Sequence, residues 1–138
     1  MLAELGLAEQ QWMRDNLGAL VELGITLDPP SLQALYDEQY AAWAALPEAE
    51  RYDPAPVITV IGVGLGEYLR HHTGMSWMVE NRGDESELAL AGSAPDTAVL
   101  YPASAIGQRW RAGERGFLVA LAAAMIEDVR RSRAQSLS

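Results

Sequence analysis

The sequence predicts an α+β fold of three N-terminal helices, a three-stranded antiparallel meander and two C-terminal helices. Three observations predict it. Apolar residues recur at three-to-four spacing towards both ends of the chain, and short alternating runs flank a turn signal in the middle. Prolines and glycines punctuate the segments in between.

Residues 7–23 read as the first helix, with Met13, Leu17, Leu20 and Val21 on the buried stripe and Glu9, Arg14, Asp15 and Glu22 outside it. Leu23 lies off that stripe near the end, and Gly24 suits the position just past it. Trp12 also falls off the stripe, which marks it as a candidate exposed contact. Asp28-Pro29-Pro30 then offers an N-cap followed by prolines that a first helical turn tolerates. The second helix runs to about Leu46, burying Leu32, Leu35, Tyr36, Tyr40 and Trp43, and Pro47 stops it.

The polar connector over 48–56 has the length of a helix–helix loop. The next segment is ambiguous, because residues 57–61 alone have strand propensity. Val57, Ile61, Leu65, Tyr68 and Leu69 nevertheless make a helical stripe, Pro56 suits a first turn and Gly74 an ending. The segment is read as a helix, with Gly62, Gly64 and Gly66 on closely packed faces.

Residues 75–80 and 87–91 flank Asn81-Arg82-Gly83-Asp84, a turn signal. Met75, Trp77 and Val79 share one face, aligned with Leu88 and Leu90 on the partner strand. A second turn over 92–96 leads to a third strand over 97–101. Pro102 to Ser104 opens a short helix through about Arg111, ended near Gly113. A last helix from Glu114 to about Arg133 carries Phe117, Leu118, Leu121, Met125, Ile126 and Val129.

A chain of 138 residues has about the length of one domain and is read as a single domain over 1–138, able to build a core without disulfide or metal staples. Its 49% hydrophobic and 21% charged content excludes disordered, collagen-like and coiled-coil classes. The absence of cysteine excludes disulfides and thiolate metal sites. All ten basic residues are arginine, the signature of a GC-rich bacterial genome. The net charge of −9 argues against a protein built to neutralise phosphates. That charge is segregated: residues 1–69 hold eleven acids against Arg14 and Arg51, while residues 70–138 hold eight of each sign. No apolar stretch reaches the roughly 18 to 20 residues of a membrane span. The opening MLAELGLAEQQ lacks the basic region and cleavage site of a secretory signal, so a cytoplasmic location is expected.

The chemistry-bearing motifs are few. A dinucleotide fingerprint needs a third glycine where Glu67 stands, and a chain without lysine has no P-loop, so Gly62, Gly64 and Gly66 read as packing positions. Glu67, His71 and His72 form the one carboxylate–histidine cluster, with Glu67 and His71 on one helix face. A zinc site there would have to recruit Glu80, Asp84 or Glu85, and no metal or cofactor is assigned. No serine lies in a nucleophile elbow, and Ser104 reads as a helix-start residue. Asp84, Glu85 and Glu87 read as solvated turn acids, and Arg82-Gly83-Asp84 matches the integrin-adhesion tripeptide only by coincidence. Arg109, Arg111 and Arg115 cluster near a helix–helix turn, and Arg130, Arg131 and Arg133 complement the last helix dipole.

The strings LGEYL (65–69), GMSWMV (74–79), ELAL (87–90), YPASAIGQRW (101–110) and GERGFLVAL (113–121) carry a resemblance. In that order, over about 62–124, the chain resembles a bacterial family of uncharacterised proteins, domain of unknown function 3806. The resemblance implies the order helix, hairpin, strand, Pro-Ser helix start and closing helix. It marks Gly66, Glu67, Tyr68, Trp77, Pro102 and Arg109 as pattern positions, and it implies no activity.

The functional expectation is a non-enzymatic protein-binding module. Its acidic helical half would face an arginine-bearing partner or a second copy in a homodimer, with no membrane role, and a nucleic-acid role would require the six C-terminal arginines to form one continuous face. The alternative is small-ligand or metal binding, or catalysis, in a cleft between the third helix and the sheet. Glu67, His71, Tyr101 and Arg109 would converge there.

Overall fold

The computed structural model describes residues 1–93 and 97–136. In chain order its elements are β1 (Leu2–Glu4), α1 (Leu7–Glu22), α2 (Pro29–Ala45), a 3-10 turn (Glu48–Glu50), α3 (Ala55–Thr73), β2 (Ser76–Arg82), β3 (Glu85–Ala91), β4 (Val99–Leu100), α4 (Pro102–Arg111) and α5 (Leu118–Ser136). Among the described residues, the α+β class and five α-helices stand as the sequence predicts.

Local chemistry sets the helix ends. The Glu9 carboxylate accepts the Gly6 N–H at 2.8 Å at the start of α1, and Asp28 accepts the Ser31 N–H at 2.9 Å at the start of α2. Both prolines of the α2 start sit in its first turn. Gly74 ends α3 in the left-handed region at φ 72°, and its N–H reaches the Arg70 carbonyl at 2.9 Å.

The meander of three expected strands is a sheet of four, in the order β1-β2-β3-β4, antiparallel throughout. The added strand is Leu2–Glu4, which pairs with β2 through Leu2 opposite Glu80 and Glu4 opposite Met78. Three residues are too few to show an alternation, and their partner lies more than seventy positions away. The register of β2 and β3 pairs Trp77 with Leu90 and Val79 with Leu88, as the alternation predicts. The expected third strand shrinks to Val99–Leu100, and part of the expected turn over 92–96 lies outside the described residues.

Two further expectations need correcting. The last helix begins at Leu118 rather than Glu114, because Gly113 and Gly116 both take left-handed backbone at φ 72° and 68°. Val21, expected in the buried stripe, is 69% exposed. Met13 and Leu20 form the narrow buried face of α1, and Val21 lies about 100° further round the helix.

α3 is the hub. It touches α1, α2, α4 and α5, and every residue from Ile61 to Gly66 is buried. Around it gather Leu20, Leu32, Leu90, Ile106 and Leu118, each fully buried and each contributing about 1.5–3 kcal/mol of transfer free energy. Tyr36 packs edge-on against Trp110 and Phe117, tying α2 to α4 and to the segment before α5. Hydrogen bonds fix the same junction: the Tyr36 hydroxyl donates to the Glu114 carbonyl at 2.8 Å, and Gln33 accepts the Leu118 N–H that opens α5. Among the described residues, no helix is long and apolar enough to cross a membrane.

Candidate functional site

Each glycine of the Gly62-Gly64-Gly66 series faces a different neighbour. A Cβ on Gly62 would lie 2.5 Å from the Ala103 Cα, and one on Gly66 2.0 Å from the Trp77 ring. A Cβ on Gly64 would lie 2.9 Å from methyl groups of Leu20 and Leu32. The three therefore seat α4, β2 and the α1–α2 pair against one helix. All three lie inside α3, so they form no phosphate-cradling loop.

Glu67 sits one residue beyond that series, with its side chain 12% exposed. Arg70 grips it through Nε at 3.0 and 3.1 Å and through Nη2 at 2.5 Å, and the Trp77 indole N–H donates to it at 3.1 Å. The Arg70 hydrogen bonds hold the Glu67 carboxyl below the usual carboxylate range, against burial that opposes them and with the Trp77 bond assisting. His71 lies on the exposed side, with Nε2 3.4 Å from the same carboxylate. Glu67 and His71 thus share a helix face, as their spacing predicts, in an ion-paired knot that orients Trp77. Among the described residues, no group of three or more histidine, aspartate or glutamate side chains is placed to hold a metal.

Tyr101 and Arg109 meet elsewhere. They line a groove of about 550 Å³ between the β2–β3 hairpin, α4 and α5 that includes neither Glu67 nor His71. Its lining is mixed: Leu100, Leu121 and Met125 supply an apolar patch, and Arg82, Glu87, Ser104, Gln108 and Asp128 stand around it. Arg82 lies over the Tyr101 ring at 5.2 Å and is bonded to Glu87 at 2.8 Å. Arg109 lies over Phe117 at 5.5 Å and donates to the Ala105 carbonyl at 3.1 Å. The four expected residues therefore form two pairs in two places. Arg82 and Gln108 carry no sequence signal for this groove, because the packing of α4 against β3 brings them to one place.

A third feature lies on α1. Ala8, Trp12, Ala19 and Leu23 follow one another at spacings of four, seven and four, and so share one flank of the helix. Trp12 is 41% and Leu23 64% exposed. At the N-terminal end of this flank, Ala8 and Trp12 face Val79 and Leu88 of the hairpin across a groove of about 310 Å³. Glu9, Ser86 and Glu87 rim that groove. Sequence marks Trp12 as exposed but gives no sign of the hairpin wall opposite it.

A family model described as Domain of unknown function (DUF3806) matches residues 33–121. The chain belongs to that family. The DUF3806 match extends the resemblance towards the N-terminus, beginning in α2 at Gln33, the residue that meets the start of α5. It includes all three packing glycines, the Glu67 knot, Tyr101 and Arg109, whereas β1 and α1 lie outside it. No curated protein and no solved structure matches the chain.

Proposed function

We propose that this protein is a non-enzymatic, cytoplasmic protein-binding module whose docking surface is the outer flank of α1, a helix that precedes the DUF3806 match. The observation that carries the reading is the exposed line from Ala8 through Trp12 to Leu23, opening at one end into the Val79–Leu88 groove. An exposed tryptophan beside an apolar groove has the anatomy of an interface anchor. Charge selects the occupant. Asp15 and Glu22 border the flank and Glu9 and Glu87 rim the groove, within an N-terminal half that holds eleven acids and two arginines. The fitting partner is a basic amphipathic segment that inserts an apolar side chain beside Trp12 and sets arginines or lysines against the acids.

A second copy is the less favoured occupant. Pairing α1 with α1 sets acid against acid, and Arg130 and Arg131 of α5 are engaged by Glu127 and Asp128. The test is titration with a synthetic leucine–arginine amphipathic peptide and with its leucine–glutamate counterpart. The arginine peptide should bind, weaken as salt rises, and lose at least about tenfold affinity for Trp12→Ala. Equal binding of both peptides, or of the arginine peptide to wild type and Trp12→Ala, refutes the reading. A concentration-dependent dimer in light scattering that Trp12→Ala abolishes would place the second copy on this face instead.

A further inference from the structure

We propose that the groove between the hairpin, α4 and α5 is a binding site for a small organic anion with an apolar body, held at its charged end by Arg109. Neither the family description nor the docking face on α1 requires such a site. The groove's volume of about 550 Å³ lies within the range of small-molecule pockets, roughly 300–1,000 Å³. Polar groups make up the larger share of its lining, beside an apolar patch from Leu100, Leu121 and Met125, so the site offers both a charged end and an apolar wall.

The state of each charged group around the groove identifies the ligand's charge. Arg82 is committed to Glu87 at 2.8 Å, with Glu80 a further 3.8 Å contact. Asp128 is committed to Arg131 at 3.2 Å. These groups form walls that are already neutralised. Arg109 differs. Of its five N–H donors, one reaches the Ala105 carbonyl, and the Glu114 carboxylate stands at the 4.0 Å limit of an ion pair on a side chain that is 55% exposed. The guanidinium lies over the Phe117 ring at 5.5 Å and its side chain is 30% exposed, so it is held in place yet reachable. A cation fixed in this way loses little further freedom when it takes a carboxylate in two parallel hydrogen bonds. The Gln108 amide and the Ser104 and Tyr101 hydroxyls line the same groove as additional polar partners.

The apolar patch identifies the rest of the ligand. Leu100, Leu121 and Met125 offer a surface that a ring or short alkyl chain covers, and methionine adapts to several shapes. An inorganic anion would leave that patch wet, and a neutral apolar molecule would leave Arg109 unused.

The probe pair is 4-phenylbutyrate and the neutral 4-phenylbutanol, titrated into the full chain with methyl chemical shifts as the readout. The carboxylate should shift the methyl groups of Leu121 and Met125 and bind about tenfold more tightly than the alcohol, the ratio expected of one charge-assisted contact. Arg109→Met removes the guanidinium while keeping an unbranched side chain and should make the two probes equal, while Trp12→Ala should change neither. Equal binding of the two probes to the wild-type chain overturns the assignment without need of any variant. So do shifts confined to Val79 and Leu88, which would place the probe at the α1 groove, and so does the absence of shifts up to the solubility limit.

Discussion

Replacing Gly62, Gly64 and Gly66 one at a time by alanine should separate backbone propensity from packing. In an open helix each change would stabilise by about 0.5–1 kcal/mol, because glycine loses the most conformational freedom on folding. The surroundings of α3 reverse the sign at two of the three positions. A Cβ on Gly62 meets the Ala103 Cα at 2.5 Å, Cβ at 2.7 Å and N at 2.9 Å, all at the start of α4. Backbone cannot rotate away, so the two helices must separate by about an ångström and uncover part of the core beneath them. A Cβ on Gly66 overlaps the Trp77 ring at 2.0 and 2.4 Å, and moving the ring also breaks its bond to Glu67. Overpacking costs about 1–3 kcal/mol, and these overlaps lie at its severe end, so Gly62→Ala and Gly66→Ala should each lose about 2 kcal/mol net. Gly64→Ala meets only the methyl ends of Leu20 and Leu32 at 2.9 Å and should stay within about 1 kcal/mol of wild type. Urea denaturation followed by circular dichroism measures all three. Trp77→Leu removes the obstructing ring, so the cost of Gly66→Ala should fall in that background. Equal stabilities for the three variants, or a Gly62→Ala protein at least as stable as wild type, would refute the assignment of these glycines to close approach.

Other expectations concern charge and hydrogen bonds. The carboxyl of Glu67 is held below its ordinary range, so its contribution is present above the unfolded-state value and lost as pH falls through the folded one. Arg70→Met should raise the pH midpoint of acid unfolding, as a fluorescence-monitored titration would show. Burial, with the nearby Tyr40 and acidic side chains assisting, pushes the Tyr36 hydroxyl up to about 12. Its contribution is complete below about pH 10 and declines as pH rises towards 12, a decline that Tyr36→Phe should abolish in alkaline melts. The same variant should lose about 1 kcal/mol at neutral pH with its bond to the Glu114 carbonyl. Asp28→Ala removes the α2 N-cap and should cost about 1 kcal/mol by denaturant titration, with the slope unchanged.

What sequence made legible were the features governed by neighbours along the chain. The Asp28 cap, the Gly74 ending, the hairpin register and the helical stripe of α3 all follow from residues within a few positions of one another. What it hid were features made by distant segments. β1 pairs across more than seventy positions, and Gln33 reaches Leu118 across eighty-five. The late start of α5 turns on Gly113 and Gly116 both adopting positive φ, which composition alone does not require. The candidate sites divide in the same way. Helical spacing pairs Glu67 with His71, and the two are paired in space. Tyr101 and Arg109 were joined to them by residue type alone, and the fold gives those two a groove of their own.

The two outer strands of the sheet have a consequence for how the molecule behaves in a crowded solution. β2 and β3 are each seven residues long and carry the apolar pairs Trp77–Leu90 and Val79–Leu88. Left as an edge, such a strand would be a template for amyloid-like pairing between molecules. Here β1 covers β2 opposite Met78–Glu80, and β4 covers β3 only at Leu90 and Ala91, so among the described residues the stretch from Glu85 to Ala89 keeps an outer edge with no strand beside it. Glu85 and Glu87 place charge on that open stretch, a device that disfavours pairing with a foreign strand. On the β2 side the segment Leu2–Glu4 acts as a guard on the hairpin, and mutations that detach it would show themselves first as loss of solubility.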